Sequence, residues 1–458
     1  TQTYLFAFGP LSGMADIVKG LPGTQPASVF NSMTGNEQAT IGAPQPGDTF
    51  NGAVGLVPDP EPPLNSSNQP ICPNGGGAGA CLTGHVNPRM IMDVGVLNGS
   101  QPAPLMAIDE DDEFFLTLTN VGQVMRPDLF EQHTVHFHGY PNASAFYDGV
   151  PDASVAINIG GSFTYYYLAP DAGTYFWHCH ITPPEHLQMG MVGQIYVRPR
   201  QNRVHGDLYT ALQMLNQPPA NTSSPTPVEY QRLRTRCTND ILCSNPVPAI
   251  NTGATNDGTK KYAYNDGDGS TAYDVEYPIQ MHGFDPNFHF VGMTFNPESF
   301  TDLKDKYFLL NGRSYPDTIN PEPLKTQATD TVERTSQPLS ALIRIPAGGK
   351  ALLRISDLNV SEYHTLAALG IPMKVIALNA KLLRDQDGNN LYYNTNSITL
   401  AGGESLDVIL DASGPDYAGC TASTPCRFYL YTPQMDHLSN DAENFGGMMT
   451  EIIVGPSA

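Results

Sequence analysis

Basic residues are scarce in this chain. Its 458 residues include only 23 Lys and Arg against 45 Asp and Glu, which gives a formal net charge of −22 at pH 7. A chain this acidic is repelled by nucleic acid and by anionic membranes, so we expect neither as a partner. It also lacks an apolar run long enough to span a bilayer. It begins at Thr1 without a signal-peptide pattern, and we therefore expect a mature, processed chain.

Long amphipathic helical patterns are also few, which argues against a helical protein. Turn-forming residues are instead abundant and evenly spread, with 43 Gly and 40 Pro. This composition predicts an all-β chain of two sandwich domains with long loop insertions. We place the first domain at residues 1–200, with an insertion at about 11–89. A connector at 201–274 then leads to the second domain at 275–458.

Histidine is unevenly distributed, because six of the twelve fall between His133 and His186. They lie in two strings, His133-Thr-Val-His136-Phe-His138-Gly139 and His178-Cys179-His180. The flanking residues, 131–140 and 163–180, predict two β-strands. Because side chains alternate between the faces of a strand, each string divides its ligands between two faces. If the two strands are neighbours, two sites form back to back.

One face offers two imidazoles, a thiolate and a thioether. This donor set matches a trigonal copper site for electron transfer, with a weak axial methionine. Zinc also accepts two histidines and a cysteine, but structural zinc sites usually close with a fourth strong ligand. The axial ligand would be Met189 or Met191. The strong ligands would be His133, Cys179 and His186.

The other face offers four neutral nitrogen donors, which suit copper that binds a small oxidant such as dioxygen or nitrite. They are His136, His138, His178 and His180. Two of these histidines flank Cys179 in the chain. An electron accepted at the first site would therefore have a short covalent route to the second.

These strings resemble those of the multicopper oxidases, the cupredoxin-superfamily group that includes laccases and, more distantly, copper nitrite reductases. The resemblance extends to residues 104–120, 148–151, 160–165 and 310–319. It implies two cupredoxin-like Greek-key β-sandwich domains and copper as the cofactor. In this family, type 1 copper would be bound by His133, Cys179 and His186, with Met191 axial. The family's usual offset favours Met191, five positions after His186, and leaves Met189 as a packing residue.

The resemblance also assigns the remaining histidines. His136 would bind type 2 copper, and His138, His178 and His180 would bind the type 3 pair. The second half of the chain repeats the first but lacks most of these ligands. A gapless alignment places His364 at the position of His133, while Ala367 and Leu369 replace two of the histidines. Further on, we align Thr432, Pro433 and Gln434 with His178, Cys179 and His180.

The second site therefore lacks half of the ligands of a trinuclear copper cluster, which the family builds from two domains. Another polypeptide could supply them, or the site could hold one copper on the first domain's own ligands. Alternatively, scattered histidines could complete a smaller site within the chain or across an oligomer interface; the candidates are His85, His282, His289 and His437. For His282 and His289 a packing role is an equal alternative. We interpret His364 and His437 as relics rather than ligands.

Nitrite reductases provide the precedent for sharing copper ligands between subunits. A homo-oligomer such as a trimer, or a hetero-complex, is thus expected. Nitrite reduction itself is less favoured, because His136 stands where those enzymes have a catalytic aspartate.

The cysteines other than Cys179 form three sequence-local pairs, although six cysteines allow several connectivities. The pairs are Cys72/Cys81, Cys237/Cys243 and Cys420/Cys426. Disulfides at these positions would imply an oxidising compartment, extracellular or periplasmic.

The sequence thus predicts a secreted, copper-dependent oxidoreductase. It would take single electrons at the type 1 copper and pass them through Cys179 and its flanking histidines to a second copper site. That site would reduce a small oxidant, with dioxygen as the first candidate. A non-catalytic electron-transfer or copper-binding subunit, whose second site is vestigial or completed by a partner, is the alternative. A nitrite reductase-like enzyme is the third. The electron donor is open among phenols, metal ions and a partner redox protein.

Overall fold

The computed structural model describes residues 6–9, 66, 100–110, 112–120, 131–139, 145–158, 162–169, 171–216, 245–292, 300–327, 333–441 and 443–455. Apart from Ser66, the predicted insertion at 11–89 lies outside these residues, and so do His85 and the first two cysteine pairs. The described part is mostly β-strand with few short helices. None of its helices is long and apolar enough to cross a membrane.

The first domain packs a four-stranded sheet against a two-stranded one. The strands are β1 (Met106–Asp109), β2 (Glu113–Thr119), β3 (His136–Phe137), β4 (Ser162–Leu168), β5 (Gly173–His178) and β6 (Val192–Arg198). The larger sheet has the order β1-β6-β5-β3, and β2 pairs with β4. Alternate aromatic residues of β4 point into the core, where Phe163, Tyr165 and Tyr167 are buried with Trp177. This alternation is the pattern of a strand that faces a core on one side.

The connector is folded where it is described. It contains strands β7 (His205–Asp207), β8 (Thr255–Asp257), β9 (Lys261–Tyr262) and β10 (Ala272–Tyr273), which pair as β7 with β8 and β9 with β10. Helix α1 (Pro183–Gln188) belongs to the first domain, and helix α2 (Leu208–Leu215) lies in the connector, with Asp207 as its N-cap residue. The Asp207 carboxylate accepts a hydrogen bond of 2.7 Å from the Thr210 backbone N–H, as an N-cap does.

The second domain is a larger sandwich. Its strands are β11 (Val275–Phe284), β12 (Tyr307–Leu310), β13 (Leu324–Gln327), β14 (Glu333–Ser336), β15 (Ile343–Pro346), β16 (Lys350–Asp357), β17 (His364–Leu369), β18 (Met373–Leu378), β19 (Lys381–Leu382), β20 (Tyr393–Thr395), β21 (Ser397–Leu400), β22 (Ser405–Asp411), β23 (Cys426–Tyr431) and β24 (Met449–Gly455). One sheet has the order β12-β11-β16-β22-β18-β19, with β20 on β18, and the other has β15-β24-β23-β17-β21. Neighbours that are distant in sequence, such as β11 with β16 and β15 with β24, show that the chain makes crossover connections. Helix α3 (Pro286–Gly292) follows β11.

Two predicted strands are shorter than expected. Within residues 131–139, the ladder covers only β3, and His133 makes a single bridge to Ile157. Gly139 ends the strand with φ of +80°, a conformation that favours glycine. The predicted strand at 163–180 is divided into β4 and β5, which lie in different sheets. The predicted Cys420–Cys426 disulfide is confirmed.

The two domains are joined by a buried polar network between β5 and β6 of the first and β16 and β22 of the second. The Arg354 guanidinium donates to the Thr174 hydroxyl over 3.2 Å, and that hydroxyl donates to Asp407 over 2.6 Å. The Gln194 side-chain amide donates to the Arg354 carbonyl over 2.9 Å. Because buried polar groups need their partners, this network fixes how the two sandwiches lie against each other.

Candidate metal centres

The predicted pairing of the two histidine strings is confirmed. β3 and β5 are antiparallel neighbours, and His136 lies directly opposite His178. The backbone N–H of His180 donates to the Thr134 hydroxyl over 3.0 Å, which extends the contact beyond the ladder. Pleating therefore sends the ligands of each string to opposite faces, and two clusters form back to back.

The first cluster brings together His133, Cys179 and His186. The Cys179 sulfur lies 3.7 Å from Nδ1 of His133 and 3.5 Å from Nδ1 of His186. All three side chains are buried. In a trigonal site with metal–sulfur and metal–nitrogen bonds of ordinary length, sulfur and nitrogen ligands lie about 3.7 Å apart. The cluster therefore has the spacing of a metal site.

Burial sets the protonation states of the three ligands in this cluster. Burial lowers the pKa of His133 well below its usual range and that of His186 to about 4, so both rings are neutral donors. Burial also raises the pKa of the Cys179 thiol to about 11 in the absence of metal. Nε2 of His186 is buried without a hydrogen-bond partner among the described residues. A bound metal ion would stabilise the thiolate, because metal ligation deprotonates a coordinating thiol.

A tight loop holds this cluster. Helix α1 carries His186 in its last turn, the Met191 N–H donates to the His186 carbonyl over 2.9 Å, and the Cys179 N–H donates to the Met191 carbonyl over 2.9 Å. The Met189 sulfur accepts a hydrogen bond of 3.3 Å from the Phe6 N–H. Met189 is thus engaged elsewhere, as expected of a packing residue. The axial role of Met191 stays a prediction.

The second cluster contains the other four histidines. Nε2 of His138 lies 3.0 Å from Nε2 of His178, and the His136 and His180 rings are 5.2 Å apart between centroids. Two rings are oriented by backbone carbonyls, because Nδ1 of His136 donates to Asp148 and Nδ1 of His178 donates to Cys179, both over 2.6 Å. This leaves each Nε2 for a ligand.

Burial affects the protonation of two histidines in the second cluster. It lowers the pKa of His138 to about 4 and that of His178 to about 3, and the neighbouring histidines lower both pKa values further. Both rings are therefore neutral nitrogen donors at physiological pH. Three members, His136, His138 and His178, offer ligand atoms within 4.8 Å of one another.

Within the described residues, no side chain of the second domain adds a ligand to this cluster. His282 and His289 lie against Gln188, and His437 lies beside Glu362. The second domain nevertheless approaches closely, since a Cβ atom added at Gly403 would lie 3.9 Å from Cε1 of His138.

Gln188 connects the first cluster to the second domain, a contact that the sequence analysis missed. Its carbonyl accepts a 3.0 Å hydrogen bond from His282, and its side-chain oxygen accepts one of 2.8 Å from His289. Its side-chain amide donates to Asp305 over 2.5 Å. All four residues are at least nine-tenths buried. The second domain thus holds the end of helix α1, two residues after His186.

The second domain contains a counterpart of the first cluster, but our sequence alignment of it is wrong by one residue. Tyr431 pairs with Ala367 as His178 pairs with His136. The Thr432 N–H donates to the Met448 carbonyl over 3.0 Å, as that of Cys179 donates to Met191. Thr432, and not Pro433, therefore occupies the place of Cys179. The chain is shorter between Thr432 and His437 than between Cys179 and His186, so the alignment needs a gap. The sequence alone does not fix where that gap lies.

Comparison with known proteins agrees with this description. Residues 82–202 match the family model described as multicopper oxidase. A laccase from Aspergillus fumigatus is 34% identical over 109 residues, which are 23% of this chain and 17% of the relative. A copper-containing nitrite reductase from Rhizobium meliloti is 35% identical over 114 residues, 24% of this chain and 27% of the relative. The chain thus matches less than a third of either relative's length.

Among solved structures, the blue copper oxidase of Nitrosomonas europaea is 20% identical, with a TM-score of 0.48 and coverage of 78% of each chain. The described residues form two β-sandwich units, and the first of them carries the His133, Cys179 and His186 cluster. Over residues 82–202, the chain is similar to the multicopper oxidase family. Copper is the metal of that family, and both clusters offer donors that suit it.

Replacement of Gln188 by alanine is expected to weaken copper binding at the first cluster by about 10- to 100-fold, as loss of groups that orient ligands does. The end of helix α1 would lose its hydrogen bonds to His289 and Asp305. Competition titration with a copper chelator measures this affinity. Gln213→Ala, at an exposed position of helix α2, is the matched control. Equal copper affinity in the two variants would show that the contact does not orient His186.

Proposed function

We propose that this protein is a secreted, copper-dependent oxidoreductase that takes single electrons at the His133, Cys179 and His186 cluster and delivers them to the four-histidine cluster, where dioxygen is reduced. Copper, when bound, supplies the one-electron redox chemistry of both centres. The observation that carries the proposal is the position of Cys179. Its sulfur lies in the first cluster, and its chain neighbours His178 and His180 lie in the second.

The chain offers two connections between the clusters. One runs along the backbone from Cys179 to either neighbouring histidine. The other uses the hydrogen bond of 2.6 Å between Nδ1 of His178 and the Cys179 carbonyl. Burial excludes water from the sulfur and lowers the pKa of His178 and of His186, so these two ligands stay neutral at physiological pH. These features suit electron transfer without a large structural change.

We further propose that the second site is completed in an assembly, either a homo-oligomer such as a trimer or a hetero-complex. The support for this proposal is that, within the described residues, no side chain of the second domain joins the four-histidine cluster. An extracellular or periplasmic location is supported by the Cys420–Cys426 disulfide. The electron donor is a molecule or protein that reaches the first cluster, and its identity is left to screening.

The deciding experiment measures copper per purified chain, absorption and paramagnetic spectra, the mass of the assembly, and dioxygen consumption with a general one-electron donor. We expect more than one copper per chain, a thiolate-to-copper absorption band, an oligomer and dioxygen uptake. One copper per chain with only the thiolate band and no turnover would replace the proposal with an electron-transfer subunit. Nitrite turnover without dioxygen uptake would identify a nitrite reductase, in line with the relative from Rhizobium meliloti.

A further inference from the structure

We propose that the second domain binds a divalent metal ion of the zinc type through Glu362, His364 and His437. This site is separate from the copper sites of the proposed function. The three residues offer ligand atoms that lie within 4.8 Å of one another. Nε2 of His437 lies 3.0 Å from the Glu362 carboxylate, and the two imidazole rings are 5.3 Å apart at 89°. Two imidazoles and a carboxylate with room for a further ligand are a donor set that zinc uses.

The two histidines are buried with unsatisfied nitrogens. The exposed fraction is 0% for His364 and 3% for His437. Nε2 of His364 and Nδ1 of His437 have no hydrogen-bond partner among the described residues. Buried polar atoms are nearly always paired, so an unpaired one calls for an explanation such as an absent ion. A metal ion would supply the missing partner of His364.

Surrounding groups orient the rings as they do in metal sites. The Asp357 carboxylate lies 3.2 Å from Nδ1 of His364, which is the carboxylate–histidine arrangement that leaves the other nitrogen for a metal. Phe308 stacks on His437 with ring centroids 4.1 Å apart. In the first domain, one aromatic ring likewise contacts both histidines, since Phe6 lies 5.2 Å from His133 and 5.0 Å from His186 between ring centroids, although it is tilted rather than stacked. Neighbouring side chains therefore hold both histidines of the second-domain cluster in defined orientations.

The strand register of the second domain explains why the metal at this site should differ from the metal of the first cluster. His364 and His437 occupy the places of His133 and His186, but Thr432 replaces Cys179. A site without thiolate has no soft ligand, and the Glu362 carboxylate supplies the negative charge instead. The side chain of Glu362 is 34% exposed, and that of Asp436, 3.9 Å from His437, is 81% exposed. Ions from solvent can thus reach the cluster.

The test uses the full-length, copper-loaded protein with His136→Ala and His138→Ala, so that zinc cannot occupy the four-histidine cluster. Zinc binding is measured by isothermal titration calorimetry and by elemental analysis after gel filtration. This protein with both substitutions is the parent for the further variants, and we expect it to bind one zinc per chain. Glu362→Gln should weaken zinc binding at least about 10-fold, and His364→Ala with His437→Ala should abolish it.

Two controls make the result decisive. His205→Ala, which removes an exposed histidine of β7, should leave zinc binding unchanged. Circular dichroism and the thiolate-to-copper band report whether each variant is folded, and Glu362→Gln changes a partly exposed side chain that the core does not need. A parent that binds no zinc would overturn the proposal. So would equal zinc binding by the parent and by the folded Glu362→Gln and double-histidine variants.

Discussion

Replacement of Cys179 by serine is expected to abolish the thiolate-to-copper absorption band and to lower the rate of dioxygen reduction by more than about 100-fold. Serine is close to cysteine in size, but its hydroxyl does not ionise in this pH range and offers no soft ligand. The substitution also removes the sulfur that lies 3.5 Å from His186 and 3.7 Å from His133. Both the electron acceptor and its link to the second cluster would be lost.

Absorption spectra, copper content and dioxygen uptake measure the effect of the Cys179 variant. Met189→Leu is the matched control, because it removes a buried sulfur that already accepts a hydrogen bond from Phe6. It should keep the absorption band and the activity. A Cys179→Ser protein that retains the band would show that the copper ligands lie elsewhere. Loss of the band in a folded Met189→Leu protein as well would contradict the packing role assigned to Met189.

Replacement of His138 by alanine is expected to leave the first copper site intact but to impair dioxygen reduction. The thiolate band should remain, because the His138 ring, which directly follows β3, packs against His136 and His178 and away from the first cluster. Dioxygen reduction should fall by more than about 100-fold, since Nε2 of His138 is the atom that lies 3.0 Å from Nε2 of His178. Reduction of the first copper by the donor, measured without oxidant, should proceed at the parent rate.

Stopped-flow absorption of the thiolate band follows this reduction, and an oxygen electrode follows turnover. His205→Ala, at an exposed position, controls for the loss of an imidazole. Unchanged dioxygen uptake in His138→Ala would contradict the assignment of the oxidant site to the four-histidine cluster. Loss of both the band and turnover would show that the two clusters are not independent.

The local part of both sites could be predicted from sequence, because strand periodicity is a short-range property. Alternation alone places His136 and His138 on one face and His133 on the other. The pairing of β3 with β5, with His136 opposite His178, then confirms that the two clusters are back to back. Their roles as copper ligands stay predictions that the Cys179 and His138 variants test.

Sequence pattern could not predict the contacts between distant segments. The hydrogen bonds from His282 and His289 to Gln188 join residues about a hundred positions apart, and nothing local requires them. The alignment of Thr432 was wrong because loop length, unlike strand register, is not fixed by periodicity. The interpretation of His364 and His437 as relics rested on the missing cysteine and did not consider Glu362.

By itself, the sequence determined the all-β class, the first cluster and the four histidines of the second, since these depend on composition and on alternation within single strands. Only the tertiary structure decided that Thr432 stands in the place of Cys179, that Gln188 links helix α1 to the second domain, and that Glu362 lies beside two buried histidines. Those features depend on how two sandwiches and their loops pack. Packing is a property of the whole chain that no short segment encodes.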